Sequence, residues 1–310
     1  MKRNRSTLLF AISTCLTALL TLATLAPVLA DSHAKGEPKA VLITGASTGI
    51  GRNMAEALAA KGFFVYAGAR KQKDLDALNA IDNIQAVRLD VTKPEEIQAA
   101  VAMVTKSGRG LYGLVNNAGV FTGGPLIETD ISELEWLFDI NVSGVYRVTQ
   151  AFAPLIIESK GRIINISSIS GVLDWPLGGI YSMSKHAVEA YSDTLALEME
   201  RFGVGVSAIG PGNYKSAISE TARQRMSEKA VAAGSTLYAD EWADFGDSPA
   251  DRSQYKEPDE VSAAALHALT ADKPRLRYMV VPNQEEAGWT INELVTELVQ
   301  WNADQPYSYS

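Results

Sequence analysis

The sequence predicts an α/β fold: a single doubly wound parallel sheet of about seven strands, with helices on both faces. Three observations point to it. Short apolar runs recur from Lys39 onward, with stretches of helical period between them. The runs are apolar throughout rather than alternating, as in strands buried on both faces. The first run also leaves through a glycine-rich turn directly into a helical pattern.

The first strand is KAVLIT (39–44), followed by the turn and a helix near 50–61. FFVYAGA (63–69) is the second strand and ends at Arg70. IQAVRLD (84–90) is the third, and Pro94 opens the helix over 94–107, where its missing N–H costs nothing. LYGLVNNAG (111–119) is a fourth strand running into a glycine turn, and one helix is expected over 132–158. GRIINIS (161–167), a helix over 181–202, and GVGVSAIG (203–210) follow. After a long irregular stretch at about 213–257 come a helix over 258–271, with Asp259 as its cap, and a last strand RYMVV (277–281). Residues 284–310 are expected to form a C-terminal helix and tail.

The chain has 310 residues, 46% hydrophobic and 21% charged, which suits one large domain. Its formal charge is −8, and the basic Lys2, Arg3 and Arg5 lie in an N-terminal segment without acids, so the remainder is more acidic still. An acidic body argues against nucleic-acid partners. Residues 1–30 read as a secretory signal, with a basic start, an apolar run and small residues Val28 and Ala30 before a cut. Residues 31–38 are a short linker to a domain over 39–283. Cleavage after Ala30 would make the protein exported and periplasmic; an uncleaved tether or a cytoplasmic location are the alternatives. No second apolar run is long enough to span a membrane, so no stable span is expected after signal removal. The single cysteine, Cys15, lies in the signal, which leaves no disulfide and no thiolate metal site. His33, His186 and His267 lack metal-ligand spacing, so no metal is expected.

The turn in VLITGASTGIG (41–51) carries Gly45, Gly49 and Gly51 between a strand and a helix, with hydroxyls on Ser47 and Thr48. Glycines let backbone approach a pyrophosphate, and a helix N-terminus favours its charge. A dinucleotide is the expected ligand. An acid at the end of the second strand would bind a free ribose hydroxyl. Here the strand ends in Arg70, followed by Lys71 and Lys73, and a guanidinium suits a 2′-phosphate, so NADP(H) is predicted over NAD(H). Asp90 is placed to accept from the adenine amino group.

YSMSK (181–185) sets Tyr181 and Lys185 one helical turn apart on one face. Together, TGASTGIG (44–51), DVT (90–92), NNAG (116–119), Asn141 in INVSG, Ser168 in NISSISG, YSMSK and PG (211–212) resemble the short-chain dehydrogenase/reductase family across about residues 39–283. The helix from YSMSK to the PG turn is similar to the branch of retinol, hydroxysteroid and 3-hydroxybutyrate dehydrogenases.

The resemblance implies a Rossmann-like fold and a catalytic set of Asn141, Ser168, Tyr181 and Lys185. Tyr181 is then the general acid/base. A free phenol titrates near pH 10, and the Lys185 ammonium with the nicotinamide charge should stabilise its phenolate. Ser168 would polarise the substrate oxygen, with Ser167 as the alternative. Asn141 would hold a water linking Lys185 to solvent, and Lys185 would also bond the nicotinamide ribose. Gly45, Ser47, Thr48, Gly49, Ile50, Gly51, Arg70, Asp90, Val91, Asn117, Ala118, Gly119, Tyr181, Lys185, Pro211 and Gly212 are expected to meet the cofactor. After Pro211-Gly212 the chain reads Asn213-Tyr214-Lys215-Ser216 where the family often has Val and Thr, leaving Ser216 as the hydroxyl for the carboxamide. Trp175 is a candidate wall of the substrate pocket.

The implied activity is interconversion of a secondary alcohol and a ketone, on a substrate with apolar bulk. A dinucleotide-binding sensor or structural partner without turnover is the alternative. The family also implies a homodimer or homotetramer built on the helices near 132–158 and 181–202.

Overall fold

AVLI contains nothing that needs water, and in the computed structural model of the chain it forms β1 (Ala40–Ile43), buried along its whole length. The structure describes residues 38–216, 218, 221–222, 224–226, 236–247, 255–304 and 307. The predicted signal at 1–30 and all but the last linker residue lie outside that set.

β1 leads into α1 (Gly49–Ala60), and the chain continues through β2 (Phe64–Ala69), α2 (Gln72–Asn79), β3 (Ile84–Arg88), α3 (Pro94–Ser107) and β4 (Gly113–Asn116). Next come α4 (Ile131–Phe138), a π-helical turn at Asp139–Ser143, α5 (Gly144–Glu158), β5 (Arg162–Ile166), α6 (Gly179–Glu200) and β6 (Gly205–Pro211). The described chain ends with α7 (Ala239–Asp247), α8 (Asp259–Thr270), β7 (Arg277–Val280) and α9 (Gln284–Asn302). The strands form one parallel sheet of seven in the order β3-β2-β1-β4-β5-β6-β7. The order reverses between β1 and β4, which places a ligand crevice outside their C-terminal ends.

Strand periodicity divides the core. Val41 and Ile43 face a cluster with Met54 and Leu58 of α1, Leu78 of α2 and Leu269 of α8. Ala40 and Leu42 face the opposite cluster, with Ile97 and Val104 of α3 and Phe152 of α5. Each fully buried aliphatic side chain contributes about 1.5–3 kcal/mol, and neither face of the sheet is left to solvent. Local signals set the ends. α3 has Pro94 in its first turn beside Glu95 and Glu96, and Gly108 stops it in the left-handed region at φ 72.

The predicted strands and helices fall within a few residues of these bounds, with four differences. α2 lay in a polar stretch, QKDLDALN, where only Leu75 and Leu78 are buried. The helix expected over 132–158 is interrupted by the wider turn at Asp139–Ser143. The stretch at 213–257 is not irregular throughout: α7 lies in it, and residues 218, 221–222 and 224–226 are helical. Asp259 does not cap α8. Pro258 holds that position, and Asp259, the first helical residue, accepts from Asn53 Nδ2 of α1 at 2.8 Å. Its carboxylate still meets the positive end of the helix. Among the described residues no helix is long and apolar enough to cross a membrane.

Candidate active site

The strand ends open into one cleft of about 1340 Å³. That exceeds the roughly 300–1,000 Å³ of common small-molecule sites, leaving room for a dinucleotide and a second molecule. Every residue predicted to meet the cofactor lines it, as do Ser168, Trp175 and Ser216. Asn141 does not; it lies behind the wall, 1% exposed.

The glycine turn is built for close approach. Gly45 and Gly49 have φ of 66 and 56, a region side chains rarely adopt. A Cβ on Gly51 would lie 2.3 Å from Asn117 Nδ2 and 2.5 Å from Gly45 O. The turn is tied to the end of β4: Asn117 Nδ2 donates to Thr44 O and Gly45 O at 2.9 and 3.0 Å. Thr44 Oγ1 in turn accepts from the N–H groups of Asn117 and Ala118, each at 3.0 Å. The Asn117 Nδ2 group therefore ties the two turns together. Thr48, at the start of α1, makes no capping bond, and the first turn has no acid. Backbone N–H groups and the helix dipole thus face the cleft without a competing carboxylate, which suits a pyrophosphate.

At the adenine end, Arg70 Nη1 lies 3.7 Å from Asp90 Oδ2, with the Arg70 side chain 61% exposed. Lys71 and Lys73 are exposed, and neither lines the cleft. Burial pushes the Asp90 carboxyl up, but hydrogen bonds from Thr92 N and Oγ1 and the charges of Arg70 and Lys93 outweigh it. The group is held below the ordinary carboxylate range.

Tyr181 and Lys185 sit on the first turns of α6. The Lys185 Nζ is 5.7 Å from the Tyr181 ring centroid and donates to Ile166 O at 3.0 Å. Gly119 lies beside them: a Cβ there would be in ordinary contact with Asn141 Oδ1 at 3.4 Å and Lys185 Nζ at 3.9 Å. Asn141 is set by the π-helical turn, a local widening often found at functional sites. Its Oδ1 accepts from Val120 N at 2.8 Å, and its Nδ2 donates to Val120 O and to Ser184 Oγ at 2.9 and 3.1 Å. Both amide protons are used, so the side chain clamps the NNAG turn to α6, and a water could be held only by an oxygen of Asn141. Ser168 Oγ accepts from Ser170 N at 3.1 Å and donates to Ser170 Oγ at 3.0 Å. Rotation of the hydroxyl would redirect its proton to a substrate oxygen while keeping the first bond. Ser167, also in the lining, is 3% exposed, and its Oγ has no hydrogen-bond partner among the described residues.

Burial pushes the Lys185 ammonium down to about 8, with the Glu189 carboxylate acting in the opposite direction. Between that value and the ordinary 10.5 the unfolded chain binds more protons than the folded one. Stability therefore rises with pH across this window, by on the order of 3 kcal/mol. Lys185→Met is expected to abolish that rise. Denaturant titrations of both proteins at about pH 7 and pH 10 check it; parallel wild-type and variant trends would show that the ammonium is not desolvated.

Three contributors were not anticipated. Phe121 places its ring edge-on to Tyr181, with centroids 4.8 Å apart at 78°, and stacks with Trp175 at 6.5 Å. It buttresses the phenol and continues an apolar wall with Leu177 and Met226. Glu189, one turn beyond Lys185, bonds Arg277 Nε at 3.1 Å; the spacing of four from Lys185 was its legible signal. Glu286 touches the turn after β6 from α9, and no local pattern marks it.

A family model described as short chain dehydrogenase matches residues 39–227. The chain is similar to the mitochondrial D-beta-hydroxybutyrate dehydrogenase of Mus musculus, 35% identical over 262 residues that cover 77% of this chain and 76% of the relative. Among solved structures it is similar to a short chain dehydrogenase/reductase from Burkholderia phymatum in complex with NAD. That match has a TM-score of 0.72 and 26% identity, covering 89% of this chain and 100% of the other. It is also similar to a serine dehydrogenase complexed with NADP+, with a TM-score of 0.65 and 26% identity over 78% of this chain and 94% of the other.

Proposed function

The chain belongs to the short-chain dehydrogenase family, and from that premise we propose that it interconverts a secondary alcohol and a ketone with apolar bulk, using NADP(H) in preference to NAD(H). The observation that carries this reading is the convergence of the glycine turn, Ser168, Tyr181 and the buried Lys185 on one cleft.

A nicotinamide cofactor, when bound, would supply or accept the hydride. Gly45, Gly49 and the start of α1 would hold its pyrophosphate, Arg70 its 2′-phosphate and Asp90 its adenine. In reduction, Ser168 Oγ would donate a hydrogen bond to the carbonyl oxygen, and the Tyr181 hydroxyl would deliver its proton to that oxygen. In oxidation the Tyr181 phenolate takes the alcohol proton. Lys185 stabilises the phenolate, and Asn141 keeps the backbone at Val120 and α6 in register with it. Phe121, Trp175, Leu177 and Met226 line the substrate end and support an apolar substrate.

A panel of ketones and secondary alcohols, followed by cofactor absorbance, tests the reading. Bulky apolar members should turn over; activity confined to small sugars would overturn the substrate class, and none on any member the enzymatic reading. The proposal includes export through residues 1–30, with a tethered or cytoplasmic chain as the alternatives, and assembly as a homodimer or homotetramer. Fractionation with N-terminal sequencing checks the first, where an intact Met1 start would refute cleavage. Light scattering checks the second, where a monomeric mass would refute it.

A further inference from the structure

We propose that Glu286, far from the catalytic residues in sequence, is a positioning residue for the nicotinamide half of the site: its buried carboxylate fixes the backbone of Pro211–Asn213. The inference rests on reading the cleft as a dinucleotide site. Pro211, Gly212 and Asn213 all line it. Glu286 stands in the first turn of α9 and is 4% exposed. Its Oε2 accepts from Asn213 N at 2.8 Å, and its Oε1 accepts from Asn283 Nδ2 at 3.2 Å. Asn283 returns the contact by capping α9, accepting from Glu286 N at 2.9 Å.

The carboxylate also occupies the space over Gly212, where a Cβ would lie 2.2 Å from Glu286 Oε2. Gly212 N donates to Val280 O at 2.8 Å, so the turn is held both by the end of β7 and by α9. On its other side, Tyr214 is 2% exposed, and its hydroxyl donates to Glu260 of α8. Two acids from two helices thus fix consecutive residues at the place where the sequence departs from the family's usual Val and Thr. A helix that needed only to dock on the sheet could do so through apolar contacts. Burying a carboxylate is costly unless strong bonds offset its lost hydration. Here the bonds go to the turn and to the helix's own cap. Trp289, three residues on from Glu286, lines the same cleft, so the same contact also places a wall residue.

The test uses Glu286→Ala, Glu286→Gln and Gly212→Ala in the full chain, with calorimetric affinities for two probes. One is NADP+; the other is adenosine 2′,5′-bisphosphate, which lacks the nicotinamide half. Glu286→Ala is expected to weaken NADP+ about tenfold, the worth of a lost hydrogen bond to a charged group, while the bisphosphate changes less than about twofold. Glu286→Gln keeps an acceptor oxygen for Asn213 N and should bind NADP+ nearly as the wild type does. Gly212→Ala should repeat the selective loss, and should cost less in the Glu286→Ala background, where the 2.2 Å clash is gone and only the tight contacts to Val281 Cγ1 and Pro282 Cδ at 3.0 and 3.1 Å remain. Equal loss of both probes, no loss of either, or a Gln variant as weak as the Ala variant would overturn the proposal. If Glu286→Ala does not fold, the other two variants decide by the same readouts. A wild-type protein that binds neither NADP+ nor NAD+ would instead refute the reading of the cleft itself.

Discussion

Tyr181→Phe is expected to lower kcat by about 10²–10⁴-fold, the usual contribution of a positioned general acid or base. The substitution removes one oxygen and leaves the ring. That ring packs edge-on against Phe121 at 4.8 Å, a contact phenylalanine keeps. The melting temperature should therefore stay close to that of the wild type. Cofactor affinity should change by no more than about tenfold, the worth of one hydrogen bond. What goes is the proton. Lys185 is poorly placed to replace it, because its Nζ is buried and donates to Ile166 O, 5.7 Å from the Tyr181 ring centroid. Ser168 can polarise an oxygen, but a neutral serine is a poor acid at neutral pH. Single-turnover kinetics with saturating cofactor measure the chemical step directly. Near-normal turnover with cofactor bound would remove Tyr181 from the mechanism and leave the cleft as a binding site.

The residues that converge on the cleft were legible because their signals are local. Tyr181 and Lys185 are four apart on a helix, and Gly45, Gly49 and Gly51 sit where strand gives way to helix. The strands of the sheet centre were legible for a similar reason: AVLI and RIINI are buried on both faces and read as unbroken apolar runs. What was missed depends on partners remote in sequence. α2 is held by two leucines and is polar elsewhere, so its period is faint. The widened turn at Asp139–Ser143 follows from how Asn141 must reach Val120 and Ser184 at once, which no spacing within INVSG encodes. Lys71 and Lys73 looked equivalent to Arg70 on the line, but the start of α2 carries them away from the cleft. Asn117 was expected near the cofactor and lines the cleft, but the tie its amide group makes to two carbonyls of the neighbouring turn joins residues some seventy positions apart, which the line does not show.

Arg70→Asp is expected to reverse cofactor preference, lowering kcat/KM for NADP(H) by about 10²–10³-fold, the effect of a change of two unit charges about 4 Å from a phosphate at an effective dielectric near 50, as suits an exposed side chain. Catalytic efficiency with NAD(H) should hold or rise, because a carboxylate at this strand end can accept from a free ribose hydroxyl. The position can respond strongly because little restrains the side chain it now carries. Arg70 is 61% exposed, and its pairing with Asp90 at 3.7 Å is a surface interaction worth at most about 1 kcal/mol. The guanidinium can leave that partner for a 2′-phosphate at little cost. Its backbone, by contrast, is fixed: Arg88 Nη1 donates to Arg70 O at 2.6 Å, and Arg88 Nη2 bonds Gln72 Oε1 at 2.8 Å. A substituted side chain would start from the same point and face the same part of the cleft. Arg70→Ala separates the two halves of the effect. It removes the attraction without adding repulsion, so it should weaken NADP(H) by less than Arg70→Asp and leave NAD(H) unchanged. The aspartate variant also brings a second acid close to Asp90, whose carboxyl would lose a stabilising cation and rise towards the ordinary range. A fall in the efficiency of both cofactors together would point to that disturbance rather than to phosphate recognition. A wild-type protein that already favours NAD(H) would show that Arg70 serves Asp90 alone, and that the basic turn after β2 has no part in choosing the cofactor.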